Sequence, residues 1–184
     1  SYSFCNCLMA TMSEKEITLT ELLESRDRRR MRQIELLGEY SGRTLVLLTI
    51  VTPGSVKRNS LSLTAASAAV DALRQSLAGH VIHEETYDRN TGYEAFFVTD
   101  LTTEEAKRRA CDIEDTHPLG RLFDIDVMNG SAVPISRTTL GLPSRRCLVC
   151  GDDARVCMRL NRHDYTELNE RIRLMIEDYE RHNL

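Results

Sequence analysis

Apolar positions along this chain follow two periods, and the switches between them mark out its elements. Leu23, Met31, Ile34 and Leu37 recur at helical spacing behind Thr18 and Glu21, a pair with capping-box separation. This predicts a first helix with those four side chains on its buried face. Leu45 to Val51 is an almost unbroken apolar run halted by Pro53-Gly54, the signature of a strand buried on both sides near the centre of a sheet. Leu63, Ala66, Val70, Leu73 and Leu77 make a second helical stripe that ends before Gly79. Val81 to Tyr87 and Tyr93 to Val98 flank Asp88-Arg-Asn-Thr-Gly92 and predict a hairpin. Thr102 and Glu105 offer another capping box ahead of Ala106, Ala110 and Ile113, a third helix. Strict alternation follows at Phe123, Ile125 and Val127, and Asn129-Gly130 favours a tight turn into Ala132 to Ser136, which predicts a second hairpin. Asp164 and Glu167 can cap a last helix whose apolar face is Tyr165, Leu168, Ile172, Met175, Ile176 and Tyr179. Helices interleaved with strands predict an α/β (α+β) domain, a mixed sheet with helices packed against it.

Size and charge narrow the class. The 184 residues suit one domain with a sizeable core, expected over 18–184, with 1–17 as a disordered extension. Ser1 to Ala10 hold Cys5, Cys7 and Met9 without the basic start and long apolar centre of a secretory signal, and Met9 or Met12 offers an alternative start. No apolar run approaches the roughly 20 residues of a membrane-spanning helix, and a net charge of −4 gives no global nucleic-acid signature. A soluble cytoplasmic protein is expected, with neither membrane nor nucleic acid as partner. Of Cys111, Cys147, Cys150 and Cys157, the last three fall in one short stretch, which points to metal or redox use in a reducing compartment rather than to a disulfide framework.

The first chemical candidate is His117-Pro-Leu-Gly120-Arg121-Leu-Phe-Asp124-Ile-Asp126-Val127. Alternation puts Asp124 and Asp126 on one face, with Cα atoms roughly 6.5–7 Å apart. Two like charges at the end of a core strand must be solvated, paired, partly protonated or relieved by a cation. Gly120 permits a close backbone approach and Arg121 adds a fixed cation beside a phosphate site. Together they suggest Mg²⁺ acting on a phosphorylated substrate; a solvated strand end is the alternative. His117 is a candidate general base or phosphate contact, or a structural histidine.

Arg26, Arg29 and Gln33, at i, i+3 and i+7, project from one side of the first helix and suit a polyphosphate clamp or a solvated face. Lys57, beyond Pro53-Gly54, can meet phosphate from a loop that lacks the Walker sequence. Cys147, Cys150, Cys157 and His163 are the ligand types of a closed, structural Zn²⁺ site, with a redox pair or small buried side chains as alternatives. Arg145, Arg146, Arg155, Arg159 and Arg162 surround them, a face for an acidic partner, an anionic substrate or solvent.

The string from His117 to Val127, with Cys-x-x-Cys-x6-Cys-x5-His downstream, resembles the citrate lyase holo-acyl-carrier-protein synthase family. Ser25-Arg26-Asp27, Arg29, Arg32-Gln33, Pro53-Gly54, Lys57, Leu142-Pro143, Arg145 and Arg159 fit the same pattern; Ser55 replaces a proline often found there. The resemblance implies a nucleotidyltransferase-like enzyme that moves the phosphoribosyl-dephospho-CoA group of a triphosphoribosyl-dephospho-CoA donor to a serine of the citrate lyase acyl-carrier subunit, releasing pyrophosphate. It would give Asp124 and Asp126 to Mg²⁺ and possible serine deprotonation, and Arg26, Arg29, Lys57 and Arg121 to the triphosphate. The analogous malonate decarboxylase carrier transferase and a non-catalytic, zinc-stabilised carrier-binding protein are the alternative readings.

Overall fold

The computed structural model describes residues 14–183. Helix α1 (Leu19–Glu39) opens on the expected capping box, in which the Thr18 hydroxyl accepts the Glu21 amide and the Glu21 carboxylate accepts the Thr18 amide. Strand β1 (Thr44–Ile50), helix α2 (Ser60–Ser76), and the hairpin β2 (Val81–Arg89) and β3 (Gly92–Thr99) follow. Helix α3 (Thr103–Thr116), capped by Thr102 and Glu105, leads through a 3-10 turn at Gly120–Leu122 to β4 (Phe123–Met128). A short helix α4 (Ala154–Arg159) precedes α5 (Tyr165–Asn183). Ile17 is buried and its amide donates to the Ser55 carbonyl, so the packed chain already includes that residue; the expected extension before Glu14 lies outside the described residues.

The strands form one sheet in the order β2-β3-β1-β4. The expected α/β architecture of a sheet with flanking helices is present; the pairings of the described strands are all antiparallel. Apolar periodicity gives a strand's existence and burial but not the direction of its neighbour. β1 is central and buried on both faces, as its continuous apolar run requires. Val46, Leu48, Ala95, Phe97, Phe123, Ile125 and Val127 pack one face against α2, α3 and α5. Leu45, Leu47, Phe96, Val98 and Met128 pack the other against Leu36 and Leu37 of α1.

Two sequence expectations are corrected. Leu23, Met31 and Ile34 are 48%, 57% and 47% exposed, whereas α1 buries Ser25, Gln33, Leu36 and Leu37. The helix turns a largely polar face to the sheet because the upper part of that sheet face is itself charged. Residues 131–136 form no strand: only the Ile135 amide reaches back, to the Val127 carbonyl at 2.9 Å. β4 is therefore a sheet edge, and α3 covers it. The buried Glu114 carboxylate accepts the Ile125 amide at 2.9 Å, and the buried Lys107 ammonium donates to the Ile125 carbonyl at 3.2 Å.

Candidate active site and metal-binding cluster

Register builds the first site. Thr49 on β1 pairs with Glu94 on one side and Asp124 on the other, and Leu47 pairs with Phe96 and Asp126. Directly opposed residues share a face, so Asp124, Asp126 and Glu94 lie together on the side that α1 covers. Asp124, its side chain 54% exposed, stands at the rim; Asp126 is half-buried and Glu94 fully buried. Burial, and then the charge of Asp124, pushes the Asp126 carboxyl above the ordinary aspartate range. Burial pushes Glu94 up as well, against the pull of Arg29, Arg89 and Arg28.

The polar underside of α1 faces this row. The Arg29 guanidinium is 3.4 Å from Glu94, and Gln33 is buried one turn further on. Arg26, one turn earlier, is exposed and has no ion pair among the described residues. It is close enough to Lys57 that its charge, after burial, draws the Lys57 ammonium below the usual lysine range; Lys57 donates to the Thr52 carbonyl at 2.5 Å. Arg29 and Gln33 thus lie on the side of α1 that covers the carboxylate face, with Arg29 near Glu94 and Asp126, while Arg26 and Lys57 lie near each other. An unshared cationic rim next to crowded carboxylates suits a polyanion carrying a divalent ion.

Other candidates fall elsewhere. His117 caps the end of α3, where its Nδ1 accepts the Leu119 amide at 2.9 Å. Its ring packs on Phe123 and Tyr179, with centroids 4.9 and 5.6 Å away, among the side chains of the opposite sheet face, and burial pulls its pKa down. The structure does not bring it to the aspartates, because alternation sends Phe123 and Asp124 to opposite sides. Gly120 is buried where a Cβ would stand 2.4 Å from the Glu114 carbonyl oxygen, so its close approach is to the end of α3. Arg121 reaches away from β4 to the carbonyls of Arg146 and Cys147. Sequence reasoning passed over Glu94, Glu114 and Lys107; each interrupts an otherwise apolar face, which was the available signal.

The second site is the Cys/His segment. Ligand atoms of Cys147, Cys150, Cys157 and His163 all lie within 4.8 Å of one another, a set that can hold a metal ion. The Cys150 and Cys157 sulfurs are 3.4 Å apart, and all three cysteines are free. The turn that gathers them needs Gly151 in the left-handed region, at φ 76°. The Val149 amide points at the Cys147 sulfur, at 3.5 Å. His163 gives Nδ1 to the Glu167 carboxylate at 3.0 Å, which leaves its buried Nε2 without a hydrogen-bond partner and facing the sulfurs. The Cys150 thiol is drawn down to about 6 by the backbone at Asp152 and by His163, while burial and the neighbouring sulfurs push Cys157 up to about 12.

Comparison with known proteins gives the family of the chain. A family model described as apo-citrate lyase phosphoribosyl-dephospho-CoA transferase matches residues 17–179. A probable apo-citrate lyase phosphoribosyl-dephospho-CoA transferase of Streptococcus pyogenes serotype M18 is 34% identical over 94% of this chain and 92% of its own. An apo-citrate lyase phosphoribosyl-dephospho-CoA transferase of Shigella boydii serotype 18 is 34% identical over 94% of this chain and 95% of its own. Protein CitXG of Haemophilus influenzae is 33% identical over 90% of this chain but only 36% of its own length.

Proposed function

Since the chain belongs to the apo-citrate lyase phosphoribosyl-dephospho-CoA transferase family, we propose that the carboxylate face under α1 is where it transfers the phosphoribosyl-dephospho-CoA group to apo-citrate lyase. The acceptor is a serine of the acyl-carrier subunit and the donor a triphosphoribosyl-dephospho-CoA. The serine oxygen forms a bond to the innermost phosphorus of the triphosphate, the bond from that phosphorus to the next bridging oxygen breaks, and pyrophosphate leaves. A phosphodiester remains, and the serine proton passes to a carboxylate or to water.

The observation that carries this reading is the placement of Asp124 and Asp126 on one face, with Glu94 across Thr49 and the Arg29 guanidinium against it; Arg26, one turn earlier on α1, and Lys57 near it supply further cations. The donor set is hard oxygen, and burial together with the charge of Asp124 disfavours a free Asp126 carboxylate, a cost that a cation would offset, so the residues fit Mg²⁺ held by Asp124 and Asp126. Bound there, Mg²⁺ would neutralise charge on the triphosphate. The chain's own part is positional: Arg26 and Lys57 hold the outer phosphates, Arg29 and Gln33 line the inner wall, and pyrophosphate departs toward the cationic rim. Gly120 and Arg121 support β4 from behind rather than facing the donor.

The Cys/His cluster we assign to a structural Zn²⁺. Three sulfurs and one imidazole within 4.8 Å match a tetrahedron whose sulfur edges are about 3.8 Å for Zn–S bonds of about 2.3 Å. Glu167 on His163 is the outer carboxylate such a ligand commonly carries. Four protein ligands leave no open position for catalysis.

Asp124→Asn and Asp126→Asn test the assignment. Each is expected to lower transfer at least about a hundredfold, with the unfolding midpoint kept. Normal rates in both would exclude the site, and a protein that only binds the carrier would behave that way. Supplying apo-carriers of citrate lyase and malonate decarboxylase with one donor separates the two transferases; the family match favours the first.

A further inference from the structure

The two sites are laced together by two arginines. Arg145 lies two residues before the ligand Cys147, and its backbone belongs to the cluster's scaffold: its carbonyl accepts the Ala154 amide at 2.9 Å, and Arg146 bridges to Asp153. Its side chain belongs to the other site. The guanidinium stands 3.4 Å from Asp124 and 3.7 Å from the buried Glu114, and donates to the Arg121 carbonyl at 2.7 Å. Arg121 returns the connection by donating to the carbonyls of Arg146 and Cys147. The lacing is reciprocal, and each arm ends on a backbone carbonyl that the other arm's residue carries or adjoins.

We propose that Arg145 is a positioning residue through which the Cys/His cluster sets the charge at Asp124, coupling occupancy of the zinc site to affinity at the carboxylate site. The inference rests on the two metal assignments above. With the cluster closed, residues 145–147 are fixed and the guanidinium lies against Asp124, where it competes with a divalent cation for the carboxylate and holds the side chain at the rim. When a triphosphate arrives, the same guanidinium has an anionic partner within reach, so the carboxylate is released to the cation as the donor binds. With the cluster open, the limb carrying Arg145 is no longer held, and Asp124 loses its counter-charge whether or not donor is present. Glu114 gives the arrangement its stiffness: it is buried, and it also holds the Ile125 amide between the two aspartates and the Arg137 guanidinium.

The test is a cycle read by Mn²⁺ binding, followed by electron paramagnetic resonance on full-length protein without donor, with zinc content measured on the same samples. Arg145→Met is expected to tighten Mn²⁺ binding about threefold to tenfold, since a cation a few ångströms from the site is removed. Stripping zinc from the unsubstituted protein is expected to tighten it by a similar factor, and stripping zinc from Arg145→Met to add little, the non-additivity that marks a shared element. Arg121→Met, which cuts the lacing while leaving the cysteines and His163 intact, is expected to reproduce part of the shift with zinc retained; it also serves if stripped protein loses its fold. Protein that neither contains nor takes up one zinc per chain would overturn the zinc reading. Absence of Mn²⁺ binding that depends on Asp124 would overturn the carboxylate reading. Full zinc, normal Mn²⁺ binding and no shift in Arg145→Met, or fully additive shifts, would overturn the coupling alone.

Discussion

Single residues carry most of what distinguishes this chain from a generic sheet and helices. Gly120 is one: a methyl group there would meet the Glu114 carbonyl oxygen at 2.4 Å and the Ile113 carbonyl oxygen at 2.6 Å, both backbone atoms that cannot swing aside. Gly120→Ala is expected to destabilise by about 2 kcal/mol or more in urea unfolding, as overpacking against backbone does. Glu94 is another, an acid on a buried face two strands from Asp124. Glu94→Gln is expected to lower transfer at least about tenfold at saturating carrier, because it removes one of three charges that the cationic wall of α1 is arranged around. A variant that transfers normally would assign Glu94 to holding Arg29 and nothing more. The aspartate pair was legible in the sequence because its spacing alone fixes a shared face. Glu94 was legible only in part: its strand was evident, but what brings it beside Asp124 is the register of both strands on Thr49 of β1, far away in the chain, which no local pattern encodes.

At the level of elements, the sequence told more about which segments are helical than about which way they face. Capping boxes at Thr18 and Thr102 and the Asp164 cap define helix starts through short-range hydrogen bonds, and all three form. The facing of α1 depends on what the sheet offers, and there a row of carboxylates selects Arg29 and Gln33 over Leu23, Met31 and Ile34. Leu36→Ala is accordingly expected to cost about 2–5 kcal/mol, and Met31→Ala to stay within about 0.5 kcal/mol, in matched denaturant titrations. The same helix is tied to β2 by Arg32, which grips the Glu85 carboxylate at 2.7 and 2.8 Å and holds it at a pKa of about 2. Since that value is depressed from 4.5, the pair's contribution is complete at neutral pH and is lost as pH falls from about 4.5 toward 2. The stability gap between the unsubstituted protein and Glu85→Gln, on the order of 1–3 kcal/mol at pH 7, is expected to close over that interval in urea titrations. A gap that stayed constant with pH would mean the ion pair is not what joins α1 to the sheet.

Across the whole molecule, one antiparallel sheet presents an apolar face to α2, α3 and α5 and a mixed face to α1, and the proposed site lies where the mixed face turns from leucine and phenylalanine to carboxylate. The Cys/His segment sits outside that sheet and touches it through Arg121 and Arg145, at the entrance to the strand that bears the aspartates. Among the described residues no helix is long and apolar enough to cross a membrane. The result is a carboxylate strand pinned at its edge by Glu114 and Lys107, with cationic side chains of α1 and of the Cys/His segment against it. It is suited to receiving a triphosphate and a protein hydroxyl from outside. Mass spectrometry of apo-carrier subunit incubated with triphosphoribosyl-dephospho-CoA, Mg²⁺ and this protein measures that transfer itself. The expected result is a carrier whose mass rises by one phosphoribosyl-dephospho-CoA group, with one pyrophosphate released per group and no gain when Asp124→Asn or Asp126→Asn replaces the protein. An unchanged carrier, or a gain that persists undiminished with both variants, would contradict it.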